Sequence, residues 1–159
     1  MLRLASYDVV FSEVPDEVTL ALNLANCPHR CPGCHSPHLR EDRGEPLDGT
    51  LLAWLLEKYG NSVTCVCFMG GDAEPEEVAR CAAYVKDYTA SRLKTAWYSG
   101  SDTWHGAAVE GVFDYVKIGS YKEDRGGLDR PTTNQRMYRL KNGQREDITC
   151  RFWNKGLKI

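Results

Sequence analysis

Four short apolar runs stand out in the hydrophobic pattern of the chain, and segments with helical periodicity separate the first three. We predict buried strands over residues 18–25, 62–69, 94–99 and 115–118. One helix is predicted to begin at Asp48, and a second runs from Pro75 toward Ser91, because proline followed by two glutamates suits a first turn. Strands that alternate with helices of about ten residues indicate βαβ units and a parallel sheet.

The number of these units limits the fold class. A closed eight-stranded barrel needs roughly 200 residues or more, whereas this chain has 159. We therefore predict one α/β domain over residues 1–159, a partial, open parallel β/α barrel with its core at about 17–120. Beyond the core we predict a long loop over 122–136 and a terminal hairpin. Its strands are expected at 136–140 and 148–153, around the turn signal Asn142-Gly143.

Composition narrows the class of protein further. With 42% apolar residues, 26% charged residues and a net charge of −2, the chain suits a domain with a hydrophobic core. A globally basic nucleic-acid-binding protein and an acidic disordered chain are both poor fits. No apolar run approaches the ~20 residues of a membrane span, and the first residues do not resemble a signal peptide. We expect a cytoplasmic protein with no nucleic-acid or membrane partner.

Charge is distributed unevenly along the chain. Residues 1–116 carry nine basic and 17 acidic side chains, whereas residues 117–159 carry 11 basic and five acidic ones. This positive segment is either an ordinary solvated surface or a basic surface for an acidic partner. Arg130, Arg136 and Arg139 are the candidates for such a docking role.

Cys27, Cys31 and Cys34 form the most informative motif, with the spacing C-x3-C-x2-C. Seven cysteines in a chain without a secretory signal argue against a disulfide framework, because one thiol would stay unpaired. Three thiolates can hold three corners of a cubane iron–sulfur cluster and leave one iron open. A structural zinc site is the alternative, with one histidine completing the ligand set. The candidates for that ligand are His29, His35 and His38.

The other cysteines fit the hydrophobic core better than a metal site. Cys65 and Cys67 lie two residues apart on a predicted strand, so they share one face of it. Cys81 lies on the inner side of the second predicted helix. A fourth cluster ligand from these three or from Cys150 stays an alternative, and it would make the cluster a simple electron carrier. Trp54 and Trp97 are also expected in the core.

The cysteine loop after the first predicted strand resembles that of the radical S-adenosylmethionine enzymes. Gly70-Gly71-Asp72, after the second strand, looks like the Gly-Gly-Glu-type motif of that superfamily, with Asp in place of Glu. The closer resemblance is to the small activating proteins of anaerobic (class III) ribonucleoside-triphosphate reductase, over residues ~17–140. Its further motifs are Cys31-Pro32-Gly33-Cys34, Tyr98-Ser99-Gly100, residues 114–119, Gly126-Gly127-Leu128 and residues 132–136.

This resemblance implies a [4Fe–4S] cluster on Cys27, Cys31 and Cys34, with S-adenosylmethionine bound at the open iron. Reductive cleavage of S-adenosylmethionine then gives a 5′-deoxyadenosyl radical, which takes a hydrogen atom from a glycine Cα of the reductase. No protein residue beyond the cluster ligands is expected to act catalytically. A flavodoxin- or ferredoxin-type protein is the expected electron donor.

The same resemblance assigns residues to the bound S-adenosylmethionine. Gly33, Cys34 and His35 are expected beside the adenine, and Gly70, Gly71 and Asp72 at the methionine end. Ser99 is expected to reach the methionine or the ribose, or else to cap its own turn. For Lys117 we favour extension to solvent over a contact with the ligand carboxylate.

Two other functions remain open at this stage. One is the same chemistry on another glycyl radical enzyme, of the formate-lyase type. The other is a zinc-binding interaction module without catalysis, which is predicted to tolerate replacement of Gly70 or Gly71.

Overall fold

An eight-stranded sheet forms the centre of the protein in the computed structural model, which describes residues 2–25, 44–104 and 111–153. The strands are β1 (Arg3–Val10), β2 (Thr19–Leu24), β3 (Glu45–Pro46), β4 (Cys65–Met69), β5 (Lys94–Tyr98), β6 (Tyr115–Ile118), β7 (Arg136–Lys141) and β8 (Gln144–Asp147). Their order across the sheet is β3-β1-β2-β4-β5-β6-β7-β8. Between strands lie two α-helices, α1 (Gly49–Tyr59) and α2 (Pro75–Tyr88).

The partial parallel β/α barrel predicted from the sequence is wrong. Strands β2, β4, β5 and β6 do run parallel, but β1 and β3 at one edge and β7 and β8 at the other pair antiparallel. The result is a mixed sheet with two α-helices among the described residues. The reason lies in the connections: residues 11–18, between β1 and β2, are fewer than the dozen or so that a parallel crossover needs, so β1 must return antiparallel.

Both predicted helices are confirmed, and their first turns explain where they begin. The Asp48 carboxylate accepts a hydrogen bond from the backbone N–H of Leu51 at 2.9 Å, which caps α1. Pro75 opens α2, and two glutamates in its first turn favour the positive end of the helix dipole. The residues that the two helices bury are Leu52, Leu55, Leu56, Val78, Cys81, Ala82 and Val85.

The two faces of the sheet are covered in different ways. The helix face packs against α1 and α2 and carries the fully buried Phe68 and Trp97. The opposite face, which we call the loop face, is covered by Val14 from the β1–β2 connection and by Phe152 from the C-terminal part. The loop face buries Cys65 and Cys67 and the helix face Cys81, so the expectation that these cysteines are core residues is confirmed.

Of the two tryptophans expected in the core, only Trp97 is buried. Trp54 is 48% exposed, so that expectation is wrong. Its side chain lies away from the buried side of α1, and its ring makes an edge contact with the ring of Tyr7. The two ring centroids are 6.4 Å apart. Lys58 lies over the Trp54 ring at 4.8 Å.

The terminal hairpin is confirmed at its turn, with a different second strand. Asn142 and Gly143 both have positive φ, at 54° and 75°, as a two-residue hairpin turn requires. Because a two-residue turn pairs the residues on either side of it directly, β8 begins at Gln144 rather than at residue 148. Residues Thr149–Phe152 instead form a 3-10 helix. No helix in the described part of the chain is long and apolar enough to cross a membrane.

Candidate functional site

The carboxyl ends of the four parallel strands meet at one edge of the sheet. Asn23 pairs with Met69, Met69 with Tyr98, and Tyr98 with Lys117, so these strands end at the same level. The segments that follow β4 and β5 bring together four residues that the sequence predicted for one site: Gly70, Gly71, Asp72 and Ser99. We call these four residues and Lys117 the strand-end cluster.

The Asp72 carboxylate ties the segment after β4 to the segment after β5. It accepts one hydrogen bond from the Ser99 hydroxyl and another, at 2.8 Å, from the backbone N–H of Gly100. Ser99 is fully buried, and its hydroxyl also accepts from the backbone N–H of Ser101 at 3.1 Å. Ser99 therefore caps its own turn. Its contact with methionine or ribose, and the place of Asp72 at the methionine end, stay predictions.

Glycine at position 71 has a reason in packing. Its φ is +84°, and a Cβ there would lie 2.5 Å from Val78 Cγ2 and 2.9 Å from Leu24 Cδ1. Gly70 also has positive φ, at +107°, and a Cβ there would lie 3.3 Å from the Leu24 carbonyl oxygen. The family resemblance explains glycine here by the close approach of a ligand to the backbone. The structure adds a second reason, because β2 and α2 leave no room for a Cβ.

Trp97 makes a contact at this site that the sequence analysis missed. Its indole N–H donates to the Gly70 carbonyl oxygen at 2.6 Å, and the Gly70 N–H donates to the Tyr98 carbonyl oxygen at 3.0 Å. The sequence placed Trp97 only in the core. Its contact depends on the register between β4 and β5, which no local pattern contains.

Lys117 does not extend to solvent, so that expectation is wrong. The residue is 8% exposed, and its ammonium donates to the carbonyl oxygens of Ser99 at 3.0 Å and Gly119 at 2.8 Å. It also lies 6.0 Å from the centroid of the Tyr98 ring. The ammonium thereby joins the ends of β5 and β6 and adds a positive charge to the strand-end cluster.

The loop face buries the Tyr98 hydroxyl and the Cys65 and Cys67 thiols, which stay uncharged at neutral pH. Burial raises the pKa of Tyr98 well above its usual range, and its hydroxyl donates to the Glu13 carbonyl oxygen. Burial likewise raises the pKa of the Cys67 thiol, whose Sγ lies 3.4 Å from Met69 Sδ. The pKa of Cys65 is also raised, with burial as the main cause.

These thiols are poor candidates for a fourth cluster ligand. Both thiols are fully buried among the apolar side chains of the loop face. Cys65 pairs with Thr19 at the opposite ends of the strands, roughly 13 Å from Met69 at about 3.3 Å per residue. Cys81 belongs to α2, on the other side of the sheet.

The predicted cluster ligands Cys27, Cys31 and Cys34, with Gly33 and His35, lie outside the described residues. Both ends of their segment are described. The segment begins after β2, whose Leu24 lies beside Gly70. It ends at Gly44, which packs against Leu4, and Leu4 pairs with Leu24 in the sheet. The described residues at both ends of the three-cysteine segment therefore lie at this edge of the sheet. Among the described residues themselves, no group of three or more His, Cys, Asp or Glu side chains is placed to hold a metal.

The three arginines proposed for docking do not share one surface. Arg136 and Arg139 are three positions apart on β7, so they lie on opposite faces, Arg136 on the helix face and Arg139 on the loop face. Both form ion pairs across the hairpin, Arg136 with Asp147 at 3.6 Å and Arg139 with Glu146. Arg130 is exposed in the loop that precedes β7. A docking role stays a prediction for each of them.

Comparisons of this chain with protein-family models, with curated proteins and with solved structures found no match. The family resemblance therefore rests on the sequence motifs of the chain alone.

Proposed function

We propose that the protein is an activase of a glycyl radical enzyme, the anaerobic ribonucleoside-triphosphate reductase. In this proposal it cleaves S-adenosylmethionine reductively and transfers the radical to a glycine of the reductase. The observation that carries the proposal is that Gly70-Gly71-Asp72 and the described residues at both ends of the three-cysteine segment lie at one edge of the sheet.

In this function Cys27, Cys31 and Cys34 hold the [4Fe–4S] cluster. When bound, the cluster supplies the electron that cleaves the carbon–sulfur bond of S-adenosylmethionine, yielding methionine and the 5′-deoxyadenosyl radical. The protein's own contribution is placement. The segment Gly70–Asp72 offers backbone groups to the methionine end.

Two side chains of the strand-end cluster support that placement. The Asp72 carboxylate holds the segments after β4 and β5 together through its bonds to Ser99 and Gly100. The Lys117 ammonium adds positive charge at this edge, which favours a bound carboxylate.

The partners follow from this chemistry. The protein substrate is the reductase, with the basic residues Arg130, Arg136 and Arg139 as docking candidates, and the electron donor is of the flavodoxin or ferredoxin type. The reaction is assigned to the cytoplasm. Activation of a formate-lyase-type enzyme uses the same steps, and an assay with both protein substrates separates the two.

The test is release of 5′-deoxyadenosine by anaerobically reconstituted protein, given S-adenosylmethionine and dithionite, with and without the reductase. We expect release from the wild type and from Cys150→Ala, whose thiol is exposed and outside the motif, and none from Cys31→Ala. Equal release from Cys31→Ala contradicts the proposal. So does the absence of release from cluster-loaded protein even with the reductase present, or zinc as the metal bound at one per chain.

A further inference from the structure

Trp97 is a fully buried aromatic side chain whose only polar atom reaches the candidate site. Its ring stacks on Phe113, with centroids 5.7 Å apart and planes 27° apart, on the helix face of the sheet. From there its Nε1 donates to the Gly70 carbonyl oxygen at 2.6 Å. A buried indole N–H usually finds a hydrogen-bond partner, and here that partner is a backbone carbonyl oxygen of the candidate site.

The carbonyl that Trp97 holds belongs to the peptide group that joins two glycines. Gly70 and Gly71 both have positive φ and lack side chains, so the peptide between them can rotate more easily than its neighbours. The Gly70 N–H is fixed by the Tyr98 carbonyl and the Gly71 carbonyl accepts from the Glu74 N–H at 2.9 Å. The indole supplies the corresponding restraint for the Gly70 carbonyl.

We propose that Trp97 is a positioning residue: its indole N–H fixes the Gly70 carbonyl, and thereby sets the orientation in which Gly70–Asp72 receives the methionine end of S-adenosylmethionine. This inference rests on the proposed function for the identity of the ligand. The contact itself is a property of the protein alone, so the two can be tested separately. Loss of the indole N–H leaves the peptide free to rotate and weakens binding without altering the bond-breaking step.

Trp97→Phe tests the proposal, with two matched controls. Phe113→Leu loosens the same aromatic stack but keeps the indole N–H. Trp104→Phe removes an indole whose buried Nε1 has no hydrogen-bond partner in the described part of the chain. For 5′-deoxyadenosine release we expect Trp97→Phe to raise the KM for S-adenosylmethionine roughly three- to tenfold, the range of one lost hydrogen bond, with kcat changed less than about twofold.

The controls decide between positioning and packing. Both are expected to keep the wild-type KM, although Phe113→Leu lowers the unfolding temperature as Trp97→Phe does. An unchanged KM in Trp97→Phe, or an equal rise in Phe113→Leu, overturns the proposal.

A second measurement needs no activity. Hydrogen–deuterium exchange of the peptide that spans residues 68–74 is expected to be faster in Trp97→Phe than in Phe113→Leu. In the wild type the Trp97 indole proton is expected to exchange slowly. If Trp97→Phe does not fold, a fast-exchanging indole proton in the wild type still overturns the contact. If the contact is found but the wild type neither binds nor cleaves S-adenosylmethionine, the proposed function fails and Trp97 positions nothing for this ligand.

Discussion

At the scale of single residues, Gly71 shows how a motif that resembles a ligand site can also be required by the fold. Its backbone lies in a left-handed conformation, and the space beside its Cα is already filled by Val78 and Leu24. A residue with a Cβ at this position would meet both strain and collision, whether or not a ligand is bound. Sensitivity of this position to substitution is thus no proof of ligand binding by itself.

Replacement of Gly71 by alanine is expected to destabilise the protein by about 2–4 kcal/mol, from left-handed strain plus overpacking. Gly143→Ala is the matched control, because Gly143 has φ +75° and no atom of the described residues lies within 4 Å of a Cβ there. It should lose only the strain, about 1 kcal/mol. Chemical denaturation measures both free energies of unfolding, and equal losses in the two variants contradict the steric account.

The sequence could predict the candidate site only in part, again for reasons found in particular residues. The family resemblance predicts Gly70, Gly71, Asp72 and Ser99 for one site, and they meet because the carboxyl ends of parallel strands lie at one edge of the sheet. The bond from Trp97 to Gly70 and the burial of Lys117 depend on distances across strands, which the local sequence does not contain.

At the scale of elements, segments with strong local sequence signals were predicted, whereas strands that form only by pairing with a neighbouring strand were not. The four parallel strands and both helices carry apolar periodicity and first-turn signals of their own. By contrast β1 is largely exposed or half-buried, and β3 is two residues long, so their pairing decides that they are strands. Missing β1 led directly to the wrong barrel, because its antiparallel pairing turns the sheet into a mixed one.

Helix α2 makes a prediction about alkaline pH through Cys81 on its buried side. Burial raises the pKa of this thiol from 9.0 to about 11. The folded state therefore holds the proton more tightly than the unfolded state, so the contribution to stability is complete below pH 9 and is lost as pH rises toward 11. We expect the free energy of unfolding to fall over this range.

Variants of two cysteines check the source of that fall. Cys81→Ala should make the decrease between pH 9 and 11 smaller, whereas Cys150→Ala, at an exposed position, should leave its slope unchanged. The measurement is urea unfolding at several pH values. Identical slopes in the wild type and Cys81→Ala would show that this thiol is not the titrating group.

At the scale of the whole molecule, packed side chains cover both faces of the mixed sheet, and the candidate site lies at the carboxyl ends of its parallel strands. Helices cover one face, while Val14, Leu128 and Phe152 cover the other. Glu17 holds the opposite ends of the strands, since its carboxylate accepts from Lys94 and the Tyr115 hydroxyl, both at 2.9 Å. The strand-end cluster lies at the other end of the parallel strands, where the proposed function places S-adenosylmethionine.

If the protein acts on the reductase as proposed, the hairpin at the far edge limits which of its arginines can take part in docking. Arg136 and Arg139 point to opposite faces, so one flat docking surface can use only one of them. We expect one of the variants Arg136→Glu and Arg139→Glu to raise the KM for the reductase severalfold, with the other near wild type and uncoupled S-adenosylmethionine cleavage unchanged in both. If cleavage falls together with activation, the arginine has no docking role.

The most direct test of the central claim follows a hydrogen atom from the partner to the cofactor. The reductase is prepared with glycine deuterated at Cα and incubated with the protein, S-adenosylmethionine and a reductant, and the 5′-deoxyadenosine is analysed by mass spectrometry. We expect 5′-deoxyadenosine carrying one deuterium to form with the labelled reductase, beside the undeuterated product of uncoupled cleavage, and no deuterated product with unlabelled reductase. If product forms with the labelled reductase and none of it carries deuterium, hydrogen abstraction from a glycine is contradicted, and with it the assignment as an activase.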